Sequence, residues 1–448
     1  MGLGLFGGGV GAARALSRRG ARVTVTDLKP ADALAPSIEA LQGLPIVLHL
    51  GGHDPDDFTE ADSVVVNPAV PRKSPYLAMA RRAGAEITAE MTLFVGACPA
   101  PLVGVTGSAG KSTTTALLGA MLSQSRTTHV GGNIGKSLLE ELDQIRPDDI
   151  VVLEMSSFQL DDLGPRGLSP HAAVVTNVSP NHLDRHGSMT AYIDAKKNIL
   201  RFQGSDDLAV LNADDPEVRD WAGETAGRVL LYSLEKEVEA GGFLSGTEII
   251  LRVGDADERI DLAPALRLRG RHNLANALAA AVAARAMGTA PDEIVAAAAD
   301  FEPLPHRFQP VGTVGGVAFI DDSKATTPRS AAVSMEALEG PIVLIAGGYD
   351  KHLDPSPLVE AARRRCRAAV LIGATAAALA EAIGSEGPPL VRADDLPSAV
   401  REAARRAKPG DTVLLAPGYA SWDMFENYEH RGNVFREAVE ELGEKGSP

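Results

Sequence analysis

The sequence predicts an α/β fold of three domains built on parallel sheets, and three observations predict it. The chain opens with Gly-x-Gly-x-x-Gly (Gly2, Gly4, Gly7), a helical stretch and a strand, Arg22 to Asp27, that ends in an acid twenty positions after Gly7. A second strand, turn and helix lies at residues 101–122. Apolar runs rich in Val, Leu and Ile recur without polar alternation, as in sheets covered on both faces. Together these give a Rossmann-like N-terminal domain (residues 1–96), a P-loop-type central domain with a parallel sheet plus a small β-rich part (97–302), and a Rossmann-like C-terminal domain (303–448).

In the first domain, Ser63-Val64-Val65-Val66, a helix around Leu77 to Ala80 and Glu86-Ile87-Thr88 continue the strand–helix–strand alternation. A Rossmann-like loop follows a first strand of about five residues. Only Met1 precedes Gly2 here, so a start further upstream is expected; an intact mass matching residues 1 to 448 would refute that.

The stretch Val103-Gly104-Val105-Thr106-Gly107-Ser108-Ala109-Gly110-Lys111-Ser112-Thr113 reads as a phosphate cradle. A buried strand runs into a glycine turn, and the helix that follows offers free N–H groups to an anion. Lys111 adds positive charge, and the Ser112 hydroxyl is a hard-oxygen ligand of the kind Mg²⁺ takes. The common P-loop places a glycine at the position of Val105; here it stands at 107.

Polar residues then gather at successive strand ends. In open α/β sheets ligands lie beyond the C-terminal strand ends, which directs Glu154, after Ile150 to Leu153, toward the same crevice as Lys111. The strand Ala172 to Val175 runs into Asn177-Val178-Ser179-Pro180-Asn181-His182. His182 reads equally as a metal ligand, a phosphate contact or a hydrogen-bonded loop histidine. By pattern alone Lys196, in the helix starting near Tyr192, is a surface lysine. Residues 227–268 are β-rich, an Ala-rich helix follows Gly270, and 300–308 reads as a linker. In the last domain, Asp322, Lys324 and Thr326 follow the strand Val317 to Asp321, and Gly347-Gly348-Tyr349-Asp350-Lys351 follows Ile342 to Ala346.

Composition narrows the function classes. The 448 residues are 45% hydrophobic and 23% charged, as in a globular protein. With 43 Lys and Arg against 59 Asp and Glu, the net charge of −16 argues against a nucleic-acid surface. Cys98 and Cys366 are the two cysteines, which fits a reducing cytoplasm, and no apolar run is long enough to insert in a membrane.

In order, Thr-Gly-Ser-Ala-Gly-Lys-Ser-Thr-Thr-Thr (106–115), Gly-Gly-Asn-Ile-Gly (131–135), Glu-Met-Ser-Ser-Phe-Gln-Leu (154–160), Asn-Val-Ser-Pro-Asn-His-Leu-Asp-Arg-His (177–186) and Tyr-x-x-Ala-Lys-x-x-Ile (192–199) resemble the Mur ligase family. The form of 156–160 is most similar to the D-glutamate-adding branch. The resemblance implies ATP-dependent ligation of D-glutamate to UDP-N-acetylmuramoyl-L-alanine through an acyl phosphate, by a monomer. It implies catalytic roles for Lys111, His182, Lys196 and Arg307. ATP contacts are implied at Gly107, Gly110, Lys111, Ser112, Thr113, Asn273, Asn276, Arg307, Asp322 and Lys324. Two Mg²⁺ ions are implied at Ser112, Glu154, His182 and a CO₂-carbamylated Lys196. The UDP-sugar falls to Gly4, Leu5, Phe6, Gly7, Asp27, Lys29 and Asn133, and D-glutamate to Thr326, Lys351, Ser421 and Tyr428. Ala109 stands where the family has asparagine, Ala69 where glycine is common, and Trp422 and Tyr428 bear on the amino-acid pocket. The alternatives are a ligase of the same fold using another amino acid or folate, and a nucleotide-binding relative without turnover.

Overall fold

A computed structural model of the chain describes residues 1–4, 8–134, 137–266, 268 and 270–445. It forms two compact units: Met1–Val178 with Thr190–Ala265 and Ala275–Ala299, and Ser179–Met189 with Leu266–Leu274 and Asp300–Pro448.

In the first unit, β1 (Val23–Asp27) pairs in parallel with β2 (Ile46–Leu50), and β3 (Ser63–Val65) with β4 (Glu86–Thr88). The helix Gly8–Arg18 turns Val10 and Ala13 onto a small core with Leu3, Val25, Leu34 and Leu41. The first residues run between the two strand pairs. Gly2 N donates to Thr26 O at 2.8 Å, the Met1 ammonium to Val65 O at 2.9 Å, and Asn67 N to Met1 O at 3.0 Å.

The central strands are β5 (Leu102–Thr106), β6 (Thr128–Gly132), β7 (Ile150–Glu154), β8 (Ala172–Val175), β9 (Leu208–Asn212), β10 (Arg228–Ser233), β11 (Gly241–Ser245), β12 (Glu248–Arg252) and β13 (Glu258–Ile260). Among the described residues they form one sheet in the order β13-β12-β11-β10-β9-β8-β5-β7-β6. Strands β5 to β11 run parallel, and β12 and β13 are antiparallel. The β-rich stretch is therefore an extension of the central sheet, because β10 pairs with β9 before the chain turns back at Gly246 (φ 64°). Val151, Leu153, Ala173, Val175 and Leu211 are fully enclosed with Met155, Ile199 and Trp221. Burying each such Val or Leu side chain contributes about 1.5–3 kcal/mol.

Sequence predicts a helix after the glycine-rich turn at 131–135, and the structure differs. Gly131 and Gly132 close β6 opposite Leu153 and Glu154, Gly135 lies outside the described residues, and short 3₁₀ turns follow at Leu138–Glu140 and Leu142–Gln144. These turns meet the helix Gly8–Arg18 through Arg14–Glu140 (3.1 Å), and Asp143 meets Arg19, just past the helix end, at 2.7 Å. Arg72 also reaches Asp161 and Asp162, so the sequence boundary at 96 falls inside the first unit.

The second unit holds β14 (Gln309–Val314), β15 (Val317–Asp321), β16 (Ile342–Gly347), β17 (Cys366–Ile372), β18 (Leu390–Arg392) and β19 (Thr412–Leu415), ordered β14-β15-β19-β16-β17-β18. Among the described residues of this sheet only β14 is antiparallel, joined to β15 by Gly315 and Gly316 at φ 58° and 78°. Helices cover both faces, with Met335, Leu358 and Leu379 on one and Val400, Phe435 and Val439 on the other. This explains the uniformly apolar strands. Among the described residues no helix is long and apolar enough to cross a membrane.

Candidate active site

In the first unit the glycine loop 107–110, the expected phosphate cradle, connects β5 to the helix Lys111–Leu122. Two of its glycines are required by geometry. A Cβ on Gly107 (φ 152°) would lie 1.9 Å from Thr176 Oγ1, and one on Gly110 (φ 81°) 2.3 Å from Asn276 Oδ1. Gly110 caps the helix, whose first-turn N–H groups have no intrahelical acceptor and suit an anion. Lys111 Nζ folds back to Gly107 O at 3.0 Å, and Thr113 is buried in the same turn.

Glu154, at the end of β7, is 2% exposed. Its carboxylate accepts from the Ser112 hydroxyl and from Asn133 Nδ2 at 2.8 Å. A serine oxygen and a carboxylate in direct contact are two hard donors, the set a magnesium ion takes. Among the described residues no group of three or more His, Cys, Asp or Glu is disposed to hold a metal, and the expected set contains only one of each of Glu and His.

Lys196 is 1% exposed, which overturns its reading as a surface lysine. The helix Met189–Lys197 aims it inward, and Nζ donates to Gly107 O at 2.9 Å and Thr106 Oγ1 at 3.2 Å. Burial first, and then the Lys111 charge, hold its ammonium well below the usual lysine range, with Glu154 opposing. Tyr192, one turn earlier, meets Ser108 Oγ at 2.9 Å, and burial pushes its phenol up to about 12.

At the β1 end, Asp27 is spent on backbone: its carboxylate accepts from Gly4 N at 3.2 Å and Lys29 N at 2.9 Å. Lys29 itself is exposed, while Leu5, Phe6 and Gly7 lie outside the described residues.

The second unit contains His182, Asn273, Arg307, Asp322 and Lys324. His182 takes a left-handed conformation (φ 54°), its N–H donating to Asn181 Oδ1 at 3.0 Å. Asn273 is buried near the start of the helix Arg271–Ala286, three residues before Asn276. Asp322 accepts from Phe308 N at 3.1 Å and from the Ser334 hydroxyl. Burial pushes its carboxyl up to about 6, partly offset by Ser334 and the nearby Arg307 charge. Lys324 Nζ lies 3.8 Å from the Tyr428 ring centroid, and Thr326 N donates to Lys324 O at 2.8 Å.

Reciprocal backbone bonds between Tyr349 and Ala420, at 2.8 and 3.2 Å, bring the β16 and β19 ends together. Ser421 is buried there, and Lys351 Nζ stands 5.6 Å from the Trp422 ring, which is 62% exposed and also meets Tyr349.

Sequence reasoning gave no role to Thr106, Thr176, Asn177, Ser334 or Arg431. For Thr106, Thr176 and Asn177 the available signal was a polar residue at a strand C-terminus, whereas Ser334 and Arg431 lie within helices. Arg431, 1% exposed, donates to Ser323 O at 2.8 Å and Tyr419 O at 3.1 Å, binding three segments of the second unit.

Three family models match: the Mur ligase MurD-like N-terminal domain over residues 1–89, the Mur ligase middle domain over 105–284, and the Mur ligase glutamate ligase domain over 306–418. The chain is 44% identical to UDP-N-acetylmuramoylalanine--D-glutamate ligase of Roseiflexus sp. (strain RS-1), across 98% of this chain and 97% of the relative. It is 42% identical to the protein of the same name from Symbiobacterium thermophilum, across 96% and 95%. The crystal structure of MurF ligase from Thermotoga maritima in complex with ADP shares the fold at TM-score 0.61 and 22% identity, covering 87% of this chain and 100% of that one. The chain belongs to the Mur ligase family.

Proposed function

We propose that this chain joins D-glutamate to the L-alanine carboxyl of UDP-N-acetylmuramoyl-L-alanine, cleaving ATP to ADP and phosphate. The observation that carries the reading is the phosphate loop with Glu154 held against Ser112 and Lys196 enclosed beside it. The near-full-length similarity to D-glutamate ligases supports the substrate pair.

A carboxylate is a poor electrophile, and its meeting with a triphosphate joins two anions. In the proposed sequence the alanine carboxylate oxygen attacks the γ-phosphorus and the bond to ADP breaks. The D-glutamate nitrogen then attacks the carbonyl carbon, loses a proton, and phosphate leaves. Lys111 and Arg307 lower the repulsion of the first step, and the helix N-terminus after Gly110 seats the phosphates. Ser112, Glu154, His182 and a carbamylated Lys196 would hold two magnesium ions, which supply charge neutralisation at the phosphates. The low proton affinity of buried Lys196 suits an amine that must be neutral to take up CO₂.

Gly107, Gly110, Thr113, Asn273, Asn276, Asp322 and Lys324 complete the ATP contacts in this reading. Gly4 to Gly7, Asp27, Lys29 and Asn133 take the UDP-sugar, and Thr326, Lys351, Ser421 and Tyr428 take D-glutamate. Three domains, 1–96, 97–302 and 303–448, would divide these tasks in a cytoplasmic monomer that serves peptidoglycan precursor synthesis and so cell shape and division. The test is phosphate release from ATP with UDP-N-acetylmuramoyl-L-alanine and a panel of amino acids. Release supported by D-glutamate is expected; release with L-lysine or diaminopimelate but not D-glutamate refutes the assignment.

A further inference from the structure

The phosphate loop takes its shape from a neighbouring strand end. Ala109 offers no polar side chain, yet its peptide groups are held on both sides. Asn177 Oδ1 accepts from Ala109 N at 2.9 Å, and Asn177 Nδ2 donates to Ala109 O at 3.0 Å. Asn177 O accepts from Ser108 N at 2.8 Å, and Thr176 Oγ1 donates to Ala109 O at 2.6 Å. Gly107 rests on the same pair, since a Cβ there would strike Thr176 Oγ1. Residues 176 and 177 are themselves anchored. Asn212 Nδ2 donates to Thr176 O at 2.7 Å, Tyr232 OH to the same oxygen at 3.1 Å, and Val178 N to Asp215 Oδ2 at 2.9 Å.

We propose that Asn177 is a positioning residue for the phosphate loop: its carboxamide fixes the Ala109 peptide, so that residue 109 serves through its backbone and the cradle keeps its anion-binding form. The inference rests on the nucleotide reading of that loop. An amide suits the place because it presents one acceptor to the N–H and one donor to the C=O. A carboxylate of the same shape has no donor and would put negative charge against Ala109 O and the bound phosphates.

The test compares wild type with Asn177→Ala and Asn177→Asp. ADP affinity is measured by calorimetry, KM for ATP and D-glutamate by phosphate release, and amide hydrogen exchange over residues 102–117 without ligand. Loss of two hydrogen bonds predicts ADP binding weaker by about tenfold for Asn177→Ala. Asn177→Asp should bind more weakly still, although it is nearly isosteric. Exchange at Ser108 and Ala109 should quicken in both, while KM for D-glutamate stays within about twofold, since both lost bonds belong to the Ala109 peptide. Asn177→Asp equal to a wild type that binds ADP overturns this proposal alone. An equal rise in KM for every substrate, with a lower melting temperature, overturns it in favour of a general structural role. A wild type that binds no ADP overturns the nucleotide reading and this proposal with it.

Discussion

Replacing Asp322 by asparagine should stabilise the second unit while lowering activity. The carboxyl is buried at the end of β15, and its ionisation moves from the ordinary 3.8 up to about 6 in spite of the Ser334 and Phe308 donors and the Arg307 charge. The folded value lies above the unfolded one, so the contribution to stability is complete below 3.8 and is lost as pH rises through about 6. At 1.36 kcal/mol for each tenfold change, the raised ionisation of Asp322 costs about 1–2 kcal/mol at pH 5, where the folded carboxyl stays largely protonated, and about 3 kcal/mol at pH 8, where it is ionised. Asparagine keeps the shape and an acceptor but never carries the charge. With about 2–4 °C per kcal/mol for a body of this size, the calorimetric midpoint of the second unit should rise about 3–6 °C at pH 5 and about 6–12 °C at pH 8. Phosphate release should fall in the same variant, because Arg307 loses the carboxylate beside it. A rise that is the same at both pH values, or absent at pH 8, would refute the reasoning.

Other perturbations follow from the same structure. Lys196→Ala should lose most turnover and still bind ADP; near-normal turnover removes the carbamate from the mechanism. Gly110→Ala places a methyl against Asn276 at a left-handed backbone position, so nucleotide binding should weaken by about five- to 150-fold, the effect of about 1–3 kcal/mol of strain; unchanged ADP affinity would count against the loop. Glu90 accepts from the Ser137 hydroxyl, and burial raises its carboxyl above the usual range. Its stabilising contribution is therefore full at low pH and lost as pH rises through the folded value. Glu90→Gln should melt higher than wild type at pH 8 and nearly level with it at pH 4.5; the reverse order would contradict the burial argument.

The parallel sheets and the strand, glycine turn and helix around Lys111 were legible because their signals are local. A strand's apolar run and the polar residue at its end sit within a few positions, as at Val151 to Glu154. Lys196 was not legible as a buried group: its own helix also carries Asp194 and Lys197, and burial depends on what packs over that face. The β10 to β13 stretch was recognised as strand, but its place on the central sheet depends on pairing between Leu208 and Arg228, which no local pattern encodes. Asn177 went unassigned for the same reason, since its partner Ala109 lies 68 residues away. The helix expected after Gly135 failed because hydrophobic residues in a short run serve a 3₁₀ turn equally well.

The two tryptophans divide between the compact units. Trp221 is fully enclosed in the core of the first, with Lys197 Nζ 5.7 Å from its ring, whereas Trp422 stands 62% exposed in the second beside Lys351. Indole emission shifts to the red in water and to the blue in an apolar core, so one spectrum carries two separable signals. Titration with an amino acid should move the red component and leave the blue one still, giving each unit its own built-in fluorophore without a label.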